Sequence, residues 1–302
     1  MKILVTGSSG TIGTRLCERL AQNGHELVCV DWRENQWSPA INKQTLIVDL
    51  RDLDAAETMP GDVDIVVHLA ANARVYDLVV DPTMARDNFL SLFNTLEFCR
   101  RKKVKRFIFA SSRESYGNID VAEYTEDMAR VENCESPYTA SKIGGEALVW
   151  SYDRCYDVKA LIFRFSNVYG MYDDSNRVIP LFIRAARENK PLTVFGEEKC
   201  LDFTYIDDCV SGIIAGIEKF DTANGEVYNL AFGEGTTIVH LAKRIQELLK
   251  SDAGITMQPS RIGEVTRYIA NIDKAKRVLS YNPTVSFEEG LKKTVEWYLA
   301  NT

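Results

Sequence analysis

The chain has 302 residues, 45% of them apolar and 26% charged, with a formal net charge of −7. That length suits one large domain or two coupled ones, and the composition is ordinary for a globular protein. The charge balance, with no offsetting basic block, argues against nucleic-acid binding; seven scattered cysteines without a C-x-x-C pair and three isolated histidines argue against a disulfide framework or a metal site. No apolar run reaches the ~18 residues of a membrane span, and the N-terminus enters a strand directly instead of a signal peptide, so a cytoplasmic protein is expected.

Residues 2–6 form a short apolar run that ends in Gly7-Ser8-Ser9-Gly10-Thr11-Ile12-Gly13, after which Leu16 and Leu20 recur at helical spacing. This predicts a strand, a glycine loop and a helix. Gly7, Gly10 and Gly13 permit a tight turn and close approach of the main chain to a pyrophosphate, with Ser9, Thr11 and Ile12 supplying the amides around it. A second strand over 26–30 ends on Asp31, whose carboxylate can accept both adenosine ribose hydroxyls. Asp31 would repel a ribose phosphate, which favours NAD over NADP; Arg33 nearby leaves NADP open.

Further apolar runs at 46–50, 64–71, 106–112 and 159–165 predict a third to a sixth strand. Such unbroken runs belong to strands covered on both faces, so the fold is α/β with a doubly wound parallel sheet. Ligands bind beyond the carboxyl ends of such strands. Asp49, Leu50, Leu69, Ala70, Ala71 and Ser112 lie there and converge on one crevice, with Asn88 of a helix over 82–101 facing it. The aromatics of that helix read as core or as a dimer contact. The acidic stretch 118–135 reads as a loop covering the site. Past residue 166 the alternation weakens, and smaller elements are expected at 176–186, 191–194 and 237–250, with a closing helix over 287–299. Residues 1–166, joined by 203–232, form the dinucleotide-binding domain in this reading; 167–202 and 233–302 form a smaller mixed α/β substrate domain.

Ser136 and Pro137 suit the cap and first position of a helix, and Tyr138 and Lys142 fall four residues apart on one face of it. A neighbouring ammonium favours the phenolate, so Lys142 is expected to lower the Tyr138 pKa from about 10 toward neutrality and make it a general base.

The blocks Thr6-Gly7-Ser8-Ser9-Gly10-Thr11-Ile12-Gly13, Ser111-Ser112-Arg113-Glu114-Ser115-Tyr116-Gly117, Tyr138-Thr139-Ala140-Ser141-Lys142, Asn167-Val168-Tyr169-Gly170 and Arg261-Ile262-Gly263-Glu264 together resemble the extended short-chain dehydrogenase/reductase family, in its NAD-dependent epimerase/dehydratase group. The chain looks most like the nucleotide-sugar 4-epimerases of the UDP-galactose type. The resemblance implies bound NAD and a catalytic set of Ser112, Tyr138 and Lys142, in which Lys142 also holds the nicotinamide ribose. It implies a UDP-hexose substrate, with Asn167 and Arg261 on the phosphates or sugar, Val178, Thr193 and Phe195 around the base, and a homodimer.

Two departures stand out. Leu201-Asp202-Phe203 occupies a place where the family usually has an arginine, leaving Lys199 or Arg267 as substitutes. Arg113-Glu114 stands where many epimerases carry small residues and 4,6-dehydratases an Asp-Glu pair. Glu114 is then structural or substrate-orienting, and Arg113 could meet a sugar carboxylate. A uronate or N-acetylhexosamine 4-epimerase, a dehydratase, a 4-keto reductase and a non-catalytic NAD-binding protein are the competing readings.

Overall fold

A computed structural model describes residues 1–301 of the chain. The six apolar runs of the first half become β1 (Lys2–Thr6), β2 (Glu26–Asp31), β3 (Thr45–Ile47), β4 (Ile65–His68), β5 (Arg106–Ser112) and β6 (Lys159–Phe165). Seven shorter strands follow: β7 (Asn167–Tyr169), β8 (Leu192–Phe195), β9 (Cys200–Tyr205), β10 (Val227–Leu230), β11 (Gly235–Thr237), β12 (Ile255–Gln258) and β13 (Arg267–Tyr268).

The main sheet has seven strands in the order β10-β6-β5-β4-β1-β2-β3, every pair parallel. The order reverses between β1 and β4, and a crevice opens at such a switch point. Successive residues of a strand face opposite ways, so Ile3 and Val5 join the apolar cluster on one face while Leu4 joins the other. The first of these clusters runs on through Phe203, Tyr205 and Leu241, and apolar packing therefore continues from the main sheet into the later part of the chain.

That later part is built on β9, which pairs with β7, β11 and β13, while β8 and β12 form a separate parallel pair. Asp202 of β9 is buried and accepts the amides of Phe232, Gly233 and Ala270. Burial lifts its pKa to about 6, against the pull of those amides. The helix Ile206–Glu218 then lies against the helix Thr11–Gln22, with Arg15 Nε donating to Asp207 at 2.6 Å. β10 follows and takes the edge of the main sheet beside β6.

Several expectations need correction. β3 stops at Ile47 and β4 at His68, so Asp49, Leu50, Leu69, Ala70 and Ala71 lie in the turns beyond the strands. The 118–135 stretch is no cover: none of its residues lines a cavity of the site. It is a strap fastened along the flank. Tyr124 exchanges main-chain bonds with Ile269 and Asn271, and the Glu126 carbonyl accepts from the buried Arg164. A buried guanidinium must find acceptors, and the strap supplies one. No helix among the described residues is long and apolar enough to cross a membrane.

Gly13 lies where a Cβ would come within 2.0 Å of the Gly7 carbonyl oxygen, whereas one at Gly254 would meet nothing within 4 Å. Gly13→Ala should therefore destabilise the protein by about 1–3 kcal/mol in denaturant unfolding. Gly254→Ala should leave the midpoint unchanged or raise it slightly; equal effects would contradict the close packing of helix on strand.

Candidate active site

Two adjoining cavities lie beyond the strand ends, of about 680 Å³ and about 180 Å³. Gly7 has φ +72°, and a Cβ there would stand 2.8 Å from the Ala70 nitrogen, so the first glycine of the loop is needed for the turn. Gly7, Gly10, Thr11, Ile12 and Gly13 line the larger cavity at the start of the helix Thr11–Gln22, where free amides and the helix dipole favour an anion. Asp31, Asp49, Leu50, Ala70 and Asn88 line the smaller cavity; Leu69 and Ala71 line both.

The Asp31 carboxylate is fixed by two main-chain donors, Ser9 N to Oδ2 at 3.0 Å and Arg33 N to Oδ1 at 3.1 Å. Each oxygen keeps a second lone pair for a ribose hydroxyl. Burial raises the Asp31 pKa, and the two amides oppose that rise. Ser9 departs from expectation. It is buried and lines neither cavity; its hydroxyl donates to the Arg33 carbonyl, so Ser9 positions Asp31 instead of meeting the cofactor. Asn88 is fastened as well, accepting from Asn72 N at 2.6 Å and donating to the Asn72 carbonyl and Ser141 Oγ. Glycines that admit close approach, amides at a helix start and an anchored carboxylate fit a dinucleotide.

The helix Pro137–Tyr156 begins as its sequence dictates, with Ser136 Oγ accepting from Thr139 N at 3.2 Å and Pro137 in the first turn. It brings Tyr138 and Lys142 to the wall of the larger cavity beside Ser112. Lys142 is buried and donates to the Ala110 carbonyl at 2.8 Å, with its nitrogen 5.8 Å from the Tyr138 ring centre. Burial lowers the Lys142 pKa to about 8, partly offset by Glu146. The expected depression of Tyr138 is absent. Burial raises its pKa, while a hydrogen bond to Ser112 and the charges of Arg177 and Arg113 pull the other way. The Lys142 ammonium donates to the Ala110 carbonyl and not to the phenol, and burial of the phenol outweighs the cations around it.

On the far side of Tyr138, the larger cavity is walled by Arg113, Glu114, Asn167, Val178, Thr193, Phe195 and Arg261. Asn167 Nδ2 donates to the Asp202 carbonyl, which leaves its amide oxygen open. Arg261 is clamped between rings, 3.9 Å from the Phe195 centre and 4.6 Å from that of Tyr76. Such stacking holds a guanidinium in place while its edge stays available to phosphate oxygens. Leu201 faces the cavity as an apolar residue. Of its two candidate substitutes Lys199 reaches the wall, held by Glu264 at 2.6 Å, whereas Arg267 donates to the Ala122 carbonyl and lines neither cavity.

Sequence reasoning missed Trp32, Tyr76 and Arg177 in these walls. Tyr76 sits on the short helix Val75–Val80, too brief to show a periodicity. Arg177 precedes the helix Val178–Arg187 and has no spacing to mark it. Trp32 follows Asp31 directly and is largely exposed beneath the Arg51 guanidinium, a position its neighbour could have flagged. Among the described residues no group of His, Cys, Asp or Glu is placed to hold a metal ion.

Comparison with known proteins agrees with this geometry. A UDP-glucuronate 4-epimerase of Thermodesulfobacterium geofontis is 31% identical over 99% of this chain and 96% of its own length. Among solved structures, the UDP-glucuronic acid 4-epimerase of Bacillus cereus, in complex with UDP-glucuronic acid and NAD, superposes with a TM-score of 0.92 at 30% identity and 99% coverage of both chains. The UDP-glucose 4-epimerase of Thermotoga maritima with UDP-glucose gives 0.89, again at 30% identity and 99% coverage of both chains. The sequence pattern of the NAD dependent epimerase/dehydratase family matches residues 3–231. This chain therefore belongs to the NAD-dependent epimerase/dehydratase family of nucleotide-sugar enzymes, and its cofactor is NAD.

Proposed function

We propose that the protein interconverts the C4 epimers of a nucleotide-linked hexose, with UDP-glucose and UDP-galactose as the pair, through a transient 4-keto sugar. The observation that carries this reading is the convergence of Ser112, Tyr138 and Lys142 on the wall between the glycine turn and the half of the cavity that holds Arg261. NAD, held by the glycine turn and Asp31, would supply a reversible hydride acceptor for C4 and, in its oxidised form, a positive charge that favours the phenolate. Tyr138 takes the proton of the C4 hydroxyl and gives it back, and Ser112 hydrogen-bonds the same oxygen. Lys142 keeps a positive charge beside the phenol while the Ala110 carbonyl fixes its position. Arg261 and Lys199 take the diphosphate, and Asn167 a phosphate or the sugar. Domains at 1–166 with 203–232, and at 167–202 with 233–302, divide the cofactor and the sugar between them.

A dehydratase would need a free acid beside the C6 hydroxyl and a base at C5. Arg113 stands in place of the acid, and a guanidinium does not give up a proton; it ion-pairs with Glu114 at 2.7 Å. The exposed Phe89, Leu90 and Phe93 of the helix Thr83–Lys102 support a homodimer built on this helix and on Pro137–Tyr156. Sedimentation as a monomer at micromolar concentration would count against it.

Protein incubated with UDP-galactose and no added cofactor is expected to yield UDP-glucose. A 4-keto-6-deoxy product, or consumption of external nicotinamide, would overturn the epimerase reading. Tyr138→Phe should slow interconversion by about 10²–10⁴-fold while NAD binding persists.

The competent form has Tyr138 as phenolate and Lys142 as ammonium. With the phenol raised and the ammonium lowered to about 8, the first proton to leave comes mainly from Lys142, and the phenolate–ammonium form is the minor tautomer of that singly deprotonated state. The rate should rise with pH toward about 8 and fall again only as the second proton leaves. A profile flat from roughly pH 6 to 9 would exclude this pair as the acid–base centre.

A further inference from the structure

Among the described residues, Lys103, Asp157, Asn189, Lys250 and Ser280 have positive φ, and each lies just past the end of a helix, where the left-handed conformation is common. Tyr172, at φ +68°, is different: it lies between β7 and the helix Val178–Arg187 and ends no helix. A bulky side chain persists in that conformation only where its surroundings hold it, and such outliers gather at sites that clamp or move.

Three distant parts of the chain hold Tyr172. Its carbonyl accepts from Thr11 Oγ1 at 3.0 Å and its hydroxyl donates to Glu18 at 3.1 Å, both on the helix that opens at the glycine turn. Its ring centre is 6.1 Å from that of Trp37, which follows β2, and 5.6 Å from that of Trp297 on the helix Phe287–Asn301. The two indoles stand edge to face at 5.3 Å, so the three rings form one cluster. A further tie comes two residues on, where Asp174 Oδ2 accepts from Gln36 Nε2 at 2.6 Å.

Residues 173–177 line the larger cavity together with Gly7, Gly10 and Thr11. The segment starts against Thr11, at the helix start that favours the cofactor's diphosphate, and ends at Arg177, whose charge acts on the Tyr138 phenol. It runs along the stretch that a dinucleotide with its reactive ring beside Tyr138 must occupy. Each tie joins protein to protein, so passage of the cofactor past the segment has to break them.

We propose that Tyr172, gripped by Trp37 and Trp297, is a latch that keeps the segment 172–177 closed along NAD, so that release of the cofactor waits for the latch to open. The glycine turn and Asp31 set how strongly NAD is held; the latch sets how fast it exchanges. The strained backbone lets the latch open as a unit, because lifting Tyr172 relieves its φ while the ring contacts and the bonds to Thr11 and Glu18 go together. The proposal needs NAD in the crevice and no particular sugar.

The test loads the protein with NAD radiolabelled in its adenine, adds an excess of unlabelled NAD and follows loss of label by rapid filtration. Tyr172→Gly, which suits the positive φ and removes the ring, should release NAD at least ~10-fold faster than the unaltered protein, and Trp37→Leu or Gln36→Ala several-fold faster. Because the two aromatic changes open one latch, the double variant Trp37→Leu/Tyr172→Gly should release NAD within about twofold of the rate of Tyr172→Gly alone. Release from Tyr172→Gly at the unaltered rate, or single effects that multiply in the double variant, would overturn the proposal. Gln36 is exposed, and Gln36→Ala decides the matter where the aromatic variants misfold: unaltered release then sinks the latch.

Discussion

The site depends on a buried ammonium. Lys142 is withdrawn from water and satisfied by the Ala110 carbonyl at the end of β5, so the helix Pro137–Tyr156 docks in one register against that strand. The helix approaches closely because Gly145 offers no side chain; a Cβ there would press to 2.9 Å on both Leu92 and Phe109. With the register fixed, Tyr138 one turn earlier faces Ser112. The same burial that positions the ammonium weakens its hold on its proton, and so the acid–base behaviour of the pair follows from packing.

One turn further along the helix, Glu146 ties this arrangement to the layers beneath. Its carboxylate takes two bonds from Arg164 of β6 and one from Ser111 Oγ at 2.5 Å. Arg164 lies over the Tyr116 ring, and the Tyr116 hydroxyl donates to Asn229 of β10 at 2.6 Å. A buried ion pair contributes little net stability, yet leaving either partner alone would be costly. Its consequence here is geometric. Three strand ends and the flanking strap are held together just behind the residues that wall the larger cavity.

The cavity has two chemically different ends. At the glycine end, main-chain amides and a fixed carboxylate recognise parts common to every dinucleotide. The other end is walled by individual side chains: a stacked arginine, a lysine paired with Glu264, and the Arg113–Glu114 pair. Solved relatives that share this backbone include proteins holding UDP-glucose and UDP-glucuronic acid. Substrate choice on one scaffold is then a matter of a few side chains in the sugar half, as expected where function is grafted on a common fold.

The parallel sheet, the glycine turn with Asp31 and the capped helix carrying Tyr138 and Lys142 were legible in the sequence because each depends on local signals. Those signals are unbroken apolar runs, glycine at positions that exclude a side chain, and Ser-Pro before a helix. Strand ends were read too long because apolar character continues past them, into the buried Val48 and Leu50 after β3 and the half-buried Leu69, Ala70 and Ala71 after β4. The protonation of Tyr138, the course of the 118–135 strap and the fate of Arg113 were beyond reach. Each is set by what surrounds the group in space: the packing that takes the phenol out of water, Arg164 that draws in Glu126, and Glu114 that turns to its neighbour instead of to solvent. The chain by itself determined which groups are available and in what order they come; tertiary packing decided which are desolvated and what each one faces, and those two conditions govern charge and hydrogen bonding.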